Sequence, residues 1–130
     1  MRPRRILVID DSVDFLKALE IRLQTEGFEV STASSGQEGL EAIARQPFDL
    51  ILLDMLMPEK DGVTIYQELR ANPSTRATPT ILLTGIAVEG YWEPMPYETD
   101  GISFIMGKPY DVKFLIARMH QVLAQTCGGS

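Results

Sequence analysis

The chain has 130 residues, with 18 acidic against 12 basic side chains, a formal charge of −6 and 45% hydrophobic residues. The surface-scaling relations give such a chain about 21,000 Å² of accessible area unfolded and about 7,000 Å² folded, enough to bury a core in one domain without staples. The single Cys127 excludes an internal disulfide, and the lack of any CxxC or Cys/His cluster excludes structural zinc and dithiol redox chemistry.

Short, continuously apolar runs alternate with stretches of helical period, the pattern of strand-helix-strand units stacked into a parallel sheet covered on both faces. Residues 6–9 form the first run. After Asp10 and Asp11, the spacing of Phe15, Leu16, Leu19 and Leu23 predicts one face of a helix that Gly27 can close. Residues 28–32 alternate as a second strand, and the turn Ser34-Ser35-Gly36 opens a helix with Leu40, Ile43 and Ala44 as its buried stripe. Phe48 and residues 50–53 make the most hydrophobic strand. The turn-rich stretch 57–62 leads into a third helix with Val63, Tyr66 and Leu69 inward. Residues 80–83 and 102–106 supply the fourth and fifth strands. Beyond Lys108 and Pro109, the repeat of Val112, Leu115, Ile116, Met119, Val122 and Leu123 predicts the last helix. Between Gly85 and Gly101, Gly90, Pro94 and Pro96 break the helical period, and a short or irregular element is expected there. One domain is expected over residues 1–125, with 126–130 as a disordered tail.

In an open parallel sheet, ligands bind at the carboxyl ends of the strands. Asp10 and Asp11 follow the first strand, Asp54 the third, Thr84 closes the fourth and Lys108 the fifth. With right-handed crossovers and the strand order 2-1-3-4-5, the first and third strands are neighbours, which gathers the three carboxylates at one edge. Two unit charges ~4 Å apart repel by about 1 kcal/mol in water and about 4 kcal/mol near a protein surface, so the cluster calls for a cation or a raised pKa. Mg²⁺ suits it, being a hard ion commonly held by one or two carboxylates with phosphate oxygens completing the shell. Lys108 and Thr84 suit the oxygens of a phosphoryl group, and an Asp carboxylate can itself be the nucleophile. Asp54, at the end of the most buried strand, is the natural choice. Singly, each residue has a plainer use: Asp11 as a helix cap, Asp54 as a turn residue, Thr84 in a strand and Lys108 on the surface. Five polar groups at the ends of four strands on an apolar scaffold favour the joint functional reading.

These residues resemble the receiver domains of two-component response regulators over nearly the whole chain. ILVIDDS resembles the family's acidic pair, LILLDMLMPEKDG its phosphoacceptor loop, ILLTG its hydroxyl position followed by a small residue, and GKPY its lysine-proline turn. The resemblance implies a flavodoxin-like fold, with a five-stranded parallel sheet and an irregular region in place of the fourth helix. It implies Asp54 as phosphoacceptor, Asp11 as a direct Mg²⁺ ligand, Asp10 as a ligand largely through water, and the backbone carbonyl of Leu56 in the metal shell. Thr84 and Lys108 would sense the phosphoryl group, and Gly85 would leave it room. The implied donor is the phosphohistidine of a sensor histidine kinase or phosphotransfer protein. Two places depart from the family pattern. Ile105 stands where an aromatic ring is usual three residues before the lysine, and neighbouring Phe104 faces the other side of a regular strand. The segment 86–101, with Tyr91, Trp92 and Tyr97, replaces a regular helix at the usual output face.

The expected function is therefore a phosphorylatable receiver that shifts its affinity for a downstream protein, not an enzyme. No apolar run approaches the ~18 residues of a membrane span, so the chain reads as cytoplasmic with no membrane role. The acidic balance argues against nucleic acid, and a homodimer is compatible with the sequence. A phosphorylation-independent adaptor is the main alternative. A Mg²⁺-dependent phosphatase of the haloacid dehalogenase type is disfavoured because Leu56 stands where a second acid is usual, and a flavin or nucleotide carrier because the turn DDSVD lacks glycines. Cys127 reads as an idle thiol, His120 as a surface residue, and Met55 and Met57 as packing.

Leu56 and Ile86, two residues beyond Asp54 and Thr84, are both apolar and cannot orient an attacking water. A phosphorylated Asp54 should therefore hydrolyse slowly. Replacing Leu56→Asn should shorten the acyl-phosphate half-life measured by phosphate release; a wild-type lifetime that is already short and unmoved by Asn would refute the assignment.

Overall fold

The computed structural model describes residues 3–55, 62–85, 92–94, 103–107 and 112–127. In chain order these form β1 (Arg5–Ile9), α1 (Val13–Thr25), β2 (Glu29–Ala33), α2 (Gly36–Arg45), β3 (Leu50–Asp54), α3 (Gly62–Ala71), β4 (Thr80–Thr84), β5 (Trp92–Pro94), β6 (Ser103–Gly107) and α4 (Val112–Cys127). The sheet order is β2-β1-β3-β4-β6-β5. Five strands are parallel and follow the order expected of a flavodoxin-like fold; β5 adds an antiparallel edge, Glu93 pairing with Ile105. This short edge strand lies within the segment where a short or irregular element is expected. Residues 86–91 and 95–102 lie outside the described residues, as do 128–130 of the expected tail.

The central strands are apolar on both sides because helices cover both sides. Ile6, Val8, Leu50, Leu52, Ile81 and Leu83 face α1 and α4, where Leu19, Leu23, Leu115, Met119 and Val122 meet them. The alternate residues Leu7, Ile9, Ile51, Leu53 and Leu82 face the other side with Ile65, Tyr66 and Leu69 of α3. Phe104 belongs to the first cluster and Ile105 packs on the second, so β6 alternates without a bulge and Phe104 does not take the place of Ile105.

Local signals place the helices. The Ser12 hydroxyl accepts from Phe15 N at the start of α1, and Gly27, at φ 94°, turns the chain out of it. At α2 the Ser35 hydroxyl accepts from Glu38 N, while the Glu38 carboxylate accepts from the Ser34 hydroxyl at 2.8 Å. The buried face of α2 differs from expectation. Gly36, Gly39 and Ala42 are its buried residues, Leu40 and Ile43 are half-buried flanks, and Ala44 is exposed. The reason is close approach: a Cβ on Gly39 would overlap the Ile9 side chain, so small residues face the sheet. Phe48 likewise precedes β3 rather than joining it, though it packs on the same cluster.

A polar network closes the amino ends of β4 and β6. Tyr66 donates to the Ser103 hydroxyl at 2.8 Å. The Arg70 guanidinium lies 4.9 Å from the Tyr66 ring centroid and donates to Ser103 Oγ, Thr80 Oγ1 and the Thr75 carbonyl. Each such bond contributes about 1 kcal/mol net, but leaving one buried partner unsatisfied costs about 1–3 kcal/mol.

Leu52 is fully buried in the centre of the sheet whereas Ile21 is 66% exposed on α1. Leu52→Ala should therefore lower unfolding free energy by about 2–5 kcal/mol, and Ile21→Ala by no more than about 0.5 kcal/mol, in urea titrations. Equal losses would contradict this description of the core.

Candidate functional site

β1 and β3 are adjacent with Ile9 opposite Leu53, so the next residues, Asp10 and Asp54, reach the carboxyl edge of the sheet at the same level. Asp10 is held there by its own N–H to the Ala33 carbonyl at 3.1 Å, and its Oδ1 accepts from Ser12 N at 2.8 Å. Ser12 also caps α1, so the cap role available to Asp11 is taken, and Asp11 stands exposed on the rim. Asp10 and Asp54 are buried. One carboxylate oxygen from each of Asp10, Asp11 and Asp54 lies within 4.8 Å of the others, a group able to hold a metal ion. Two buried carboxylates at that separation repel by about 3 kcal/mol near a protein surface, and an all-oxygen donor set suits a hard divalent cation.

Thr84 is the buried last residue of β4, one step beyond Leu83, which pairs with Asp54. Its ladder partner is Gly107, the residue before Lys108. Lys108, Leu56, Met57 and Ile86 lie outside the described residues. Met55 is half-buried against the α3-side cluster, and its N–H donates to the Leu83 carbonyl. His120 is exposed, its ring 5.3 Å from that of Phe28.

Sequence reasoning did not single out Ser12 or Gly62. Ser12 serves as both cap and backbone donor to Asp10, and the signal was its place directly after the two acids. Gly62 opens α3 with its N–H bonded to the Met55 carbonyl at 2.9 Å, and a Cβ there would overlap the Asp54 carbonyl oxygen. Only a residue without a side chain lets the helix start so close behind Asp54.

The response regulator receiver domain model matches residues 6–120. The chain belongs to that family. As a receiver domain of two-component signalling, it is similar to response regulator PleD of Caulobacter vibrioides, with 39% identity over 118 residues, 91% of this chain and 26% of that protein. It is also similar to the DNA-binding dual master transcriptional regulator RpaA of Synechocystis, with 33% identity over 128 residues, 94% of this chain and 50% of that protein. The chain thus spans about a quarter to about half of the length of these curated relatives. Among solved structures, Vibrio cholerae chemotaxis protein CheY4 is 26% identical with a TM-score of 0.76, covering 92% of this receiver and 98% of that chain. Response regulator TrrA of Thermotoga maritima, solved in complex with Mg²⁺ and BeF, is 28% identical with a TM-score of 0.73, covering 92% and 98%. No helix among the described residues is long and apolar enough to cross a membrane.

Because the atoms facing Gly62 are backbone, Gly62→Ala cannot be relieved by a side-chain rotation. It should destabilise the receiver by about 1–3 kcal/mol in denaturant titrations, despite the gain of up to about 1 kcal/mol that Ala brings to a helix. A stabilised variant would show that α3 does not start this close to Asp54.

Proposed function

We propose that Asp54 accepts a phosphoryl group from the phosphohistidine of a sensor histidine kinase or phosphotransfer protein, and that the modified receiver changes its affinity for a downstream protein. The observation that carries this reading is the convergence of Asp10, Asp11 and Asp54 within 4.8 Å at the edge between β1 and β3. The donor set fits Mg²⁺, and the similarity to TrrA, solved with Mg²⁺ and BeF, supports that choice. Asp11 would ligate directly, Asp10 largely through water, and Asp54 and the Leu56 carbonyl would complete the protein's share. When bound, the ion supplies charge neutralisation for the carboxylates and the phosphoryl oxygens.

An Asp54 carboxylate oxygen attacks phosphorus as the phosphorus-nitrogen bond to the donor imidazole breaks in line, leaving an acyl phosphate on Asp54 and a free histidine on the donor. Lys108 holds the transferred oxygens as a compact positive charge, and the Thr84 hydroxyl donates to one of them. The sheet behind Asp54 is closed to water by Leu53, Leu83 and Met106, which keeps the nucleophile's surroundings low in dielectric on that side. Phosphorylation favours the conformation in which Thr84 contacts the new oxygens, a population shift that reaches the partner surface. Residues 1–125 form the receiver unit of this cytoplasmic signalling protein, which acts through protein contacts, in a homodimer or with another chain.

Incubation with acetyl phosphate and Mg²⁺ followed by intact-mass measurement tests the chemistry. One phosphoryl group should be gained, and none in Asp54→Ala or after chelation of the metal. A chain that stays unmodified while folded would favour a phosphorylation-independent adaptor, and steady turnover of small phosphomonoesters a phosphatase.

A further inference from the structure

At the opposite end of the sheet from Asp54, a cavity of about 300 Å³ opens between the carboxyl end of α2, the segment entering β3 and the loop entering β4. Its floor is apolar: Ile43 and Phe48 are half-buried and Ile51 is fully buried. Of the five polar residues around the floor, Ser74 and Thr75 donate their hydroxyls to the Asn72 side chain and the Leu69 carbonyl, which leaves the three side chains of Arg45, Gln46 and Thr78. None of the three side chains forms a hydrogen bond or ion pair with another described residue. A concave site with an aromatic and aliphatic lining and a few convergent polar groups is the usual form of a small-molecule site, and 300 Å³ lies at the small end of that range. At ~30 Å³ per water-sized volume, it takes a ligand of about ten non-hydrogen atoms.

The charge on the rim selects the ligand. The carboxyl end of α2 carries about half a negative charge, spread over its last carbonyls, whereas the Arg45 guanidinium in its last turn carries a full positive one. The guanidinium outweighs the dipole, and its planar fork matches a carboxylate bidentately. The Gln46 amide and the Thr78 hydroxyl add donors of the same kind. Phe48 offers a ring edge or face to a flat ligand body.

We infer that this cavity is a binding site for a small aromatic carboxylate, its ring on Phe48, Ile43 and Ile51 and its anionic group on Arg45, Gln46 and Thr78. The site is separate from the carboxylate cluster. Ile51 and Asp54 are three residues apart on β3, about 10 Å along the strand, and occupancy requires no phosphorylation.

Benzoate is the probe, followed by ¹⁵N-¹H correlation spectra of the full chain. It should cause saturable shifts at the amides of Arg45, Phe48 and Thr78 with a Kd at or below ~1 mM. Benzamide, with the same ring and no charge, should bind at least about fivefold more weakly, and acetate should cause no saturable shift. Arg45→Gln, an exposed substitution whose spectrum reports its own folding, should weaken benzoate about fivefold or more and leave benzamide unchanged. Absence of saturable benzoate shifts at these amides, benzamide binding as tight as benzoate, or an Arg45→Gln variant that binds benzoate as the wild type does would each overturn the assignment.

Discussion

A parallel sheet sends every one of its strands out through the same edge, and the helices that return the chain necessarily begin there. In this receiver the interiors of β1, β3 and β4 hold only aliphatic side chains, so the polar chemistry of these strands is confined to their two ends. The register of β1 on β3, Ile9 opposite Leu53, then brings Asp10 level with Asp54. A slip of β1 by one residue against β3 would exchange the faces of the β1 side chains and offset the carboxylates, which is why the packing on both sides of β1 and β3 is a condition for the site. The start of α1 contributes as well: the Ser12 N–H reaches the Asp10 carboxylate, and the partial positive charge of the helix start favours anions there. At the other end, the last turns of α1, α2 and α3 carry Arg22, Arg45 and Arg70, which complement the negative ends of the same helices.

Bringing helices this close requires missing side chains. Gly39 lets α2 settle on Ile9, and Gly62 lets α3 begin against the Asp54 carbonyl. Both close approaches flank the carboxylate edge, since Ile9 directly precedes Asp10. The geometry of the acidic cluster is thus set by packing at glycine as much as by the acids themselves. This links a backbone feature with no chemistry of its own to the placement of the groups that have it.

The five parallel strands, the faces of α1 and α4, and the meeting of Asp10, Asp11 and Asp54 were legible in the sequence, because continuous apolar runs and a 3.6-residue repeat report buried surface directly. The face of α2 was not. Its contact residues Gly36, Gly39 and Ala42 are small, so the apolar signal came from the flanking Leu40 and Ile43 and pointed one step too far, to exposed Ala44. β5 escaped for another reason: three residues containing a proline, paired on an edge, carry no periodicity to read. The same holds for Ser103 and Arg70, whose partnership spans 33 residues and follows from topology alone. The roles of Ser12 and Gly62 were hidden by a different kind of ambiguity, since serine after an acid and glycine after a turn are common without such contacts.

Around Arg70 and around Asp54 the polar groups are spent in opposite ways. Around Arg70, the Nε and both Nη atoms donate to oxygens of Ser103, Thr75 and Thr80, and the Tyr66 hydroxyl donates to Ser103 as well. A guanidinium partnered so fully contributes to stability and fixes α3 on the amino ends of β4 and β6. Around Asp54, by contrast, like charges are crowded within 4.8 Å, an arrangement that lowers stability unless a cation joins it. The Tyr66 ring on this side of the sheet is tied down by its hydroxyl, and Ile105 two residues beyond Ser103 is aliphatic. Rotating Tyr66 away would leave a buried hydroxyl partner short of a bond, at a cost of about 1–3 kcal/mol, whereas a shift of α3 and β6 together keeps the network intact. The amino end around Arg70 is therefore the tied-down end of the receiver, and the like-charge repulsion that a cation can relieve is concentrated at the carboxyl edge.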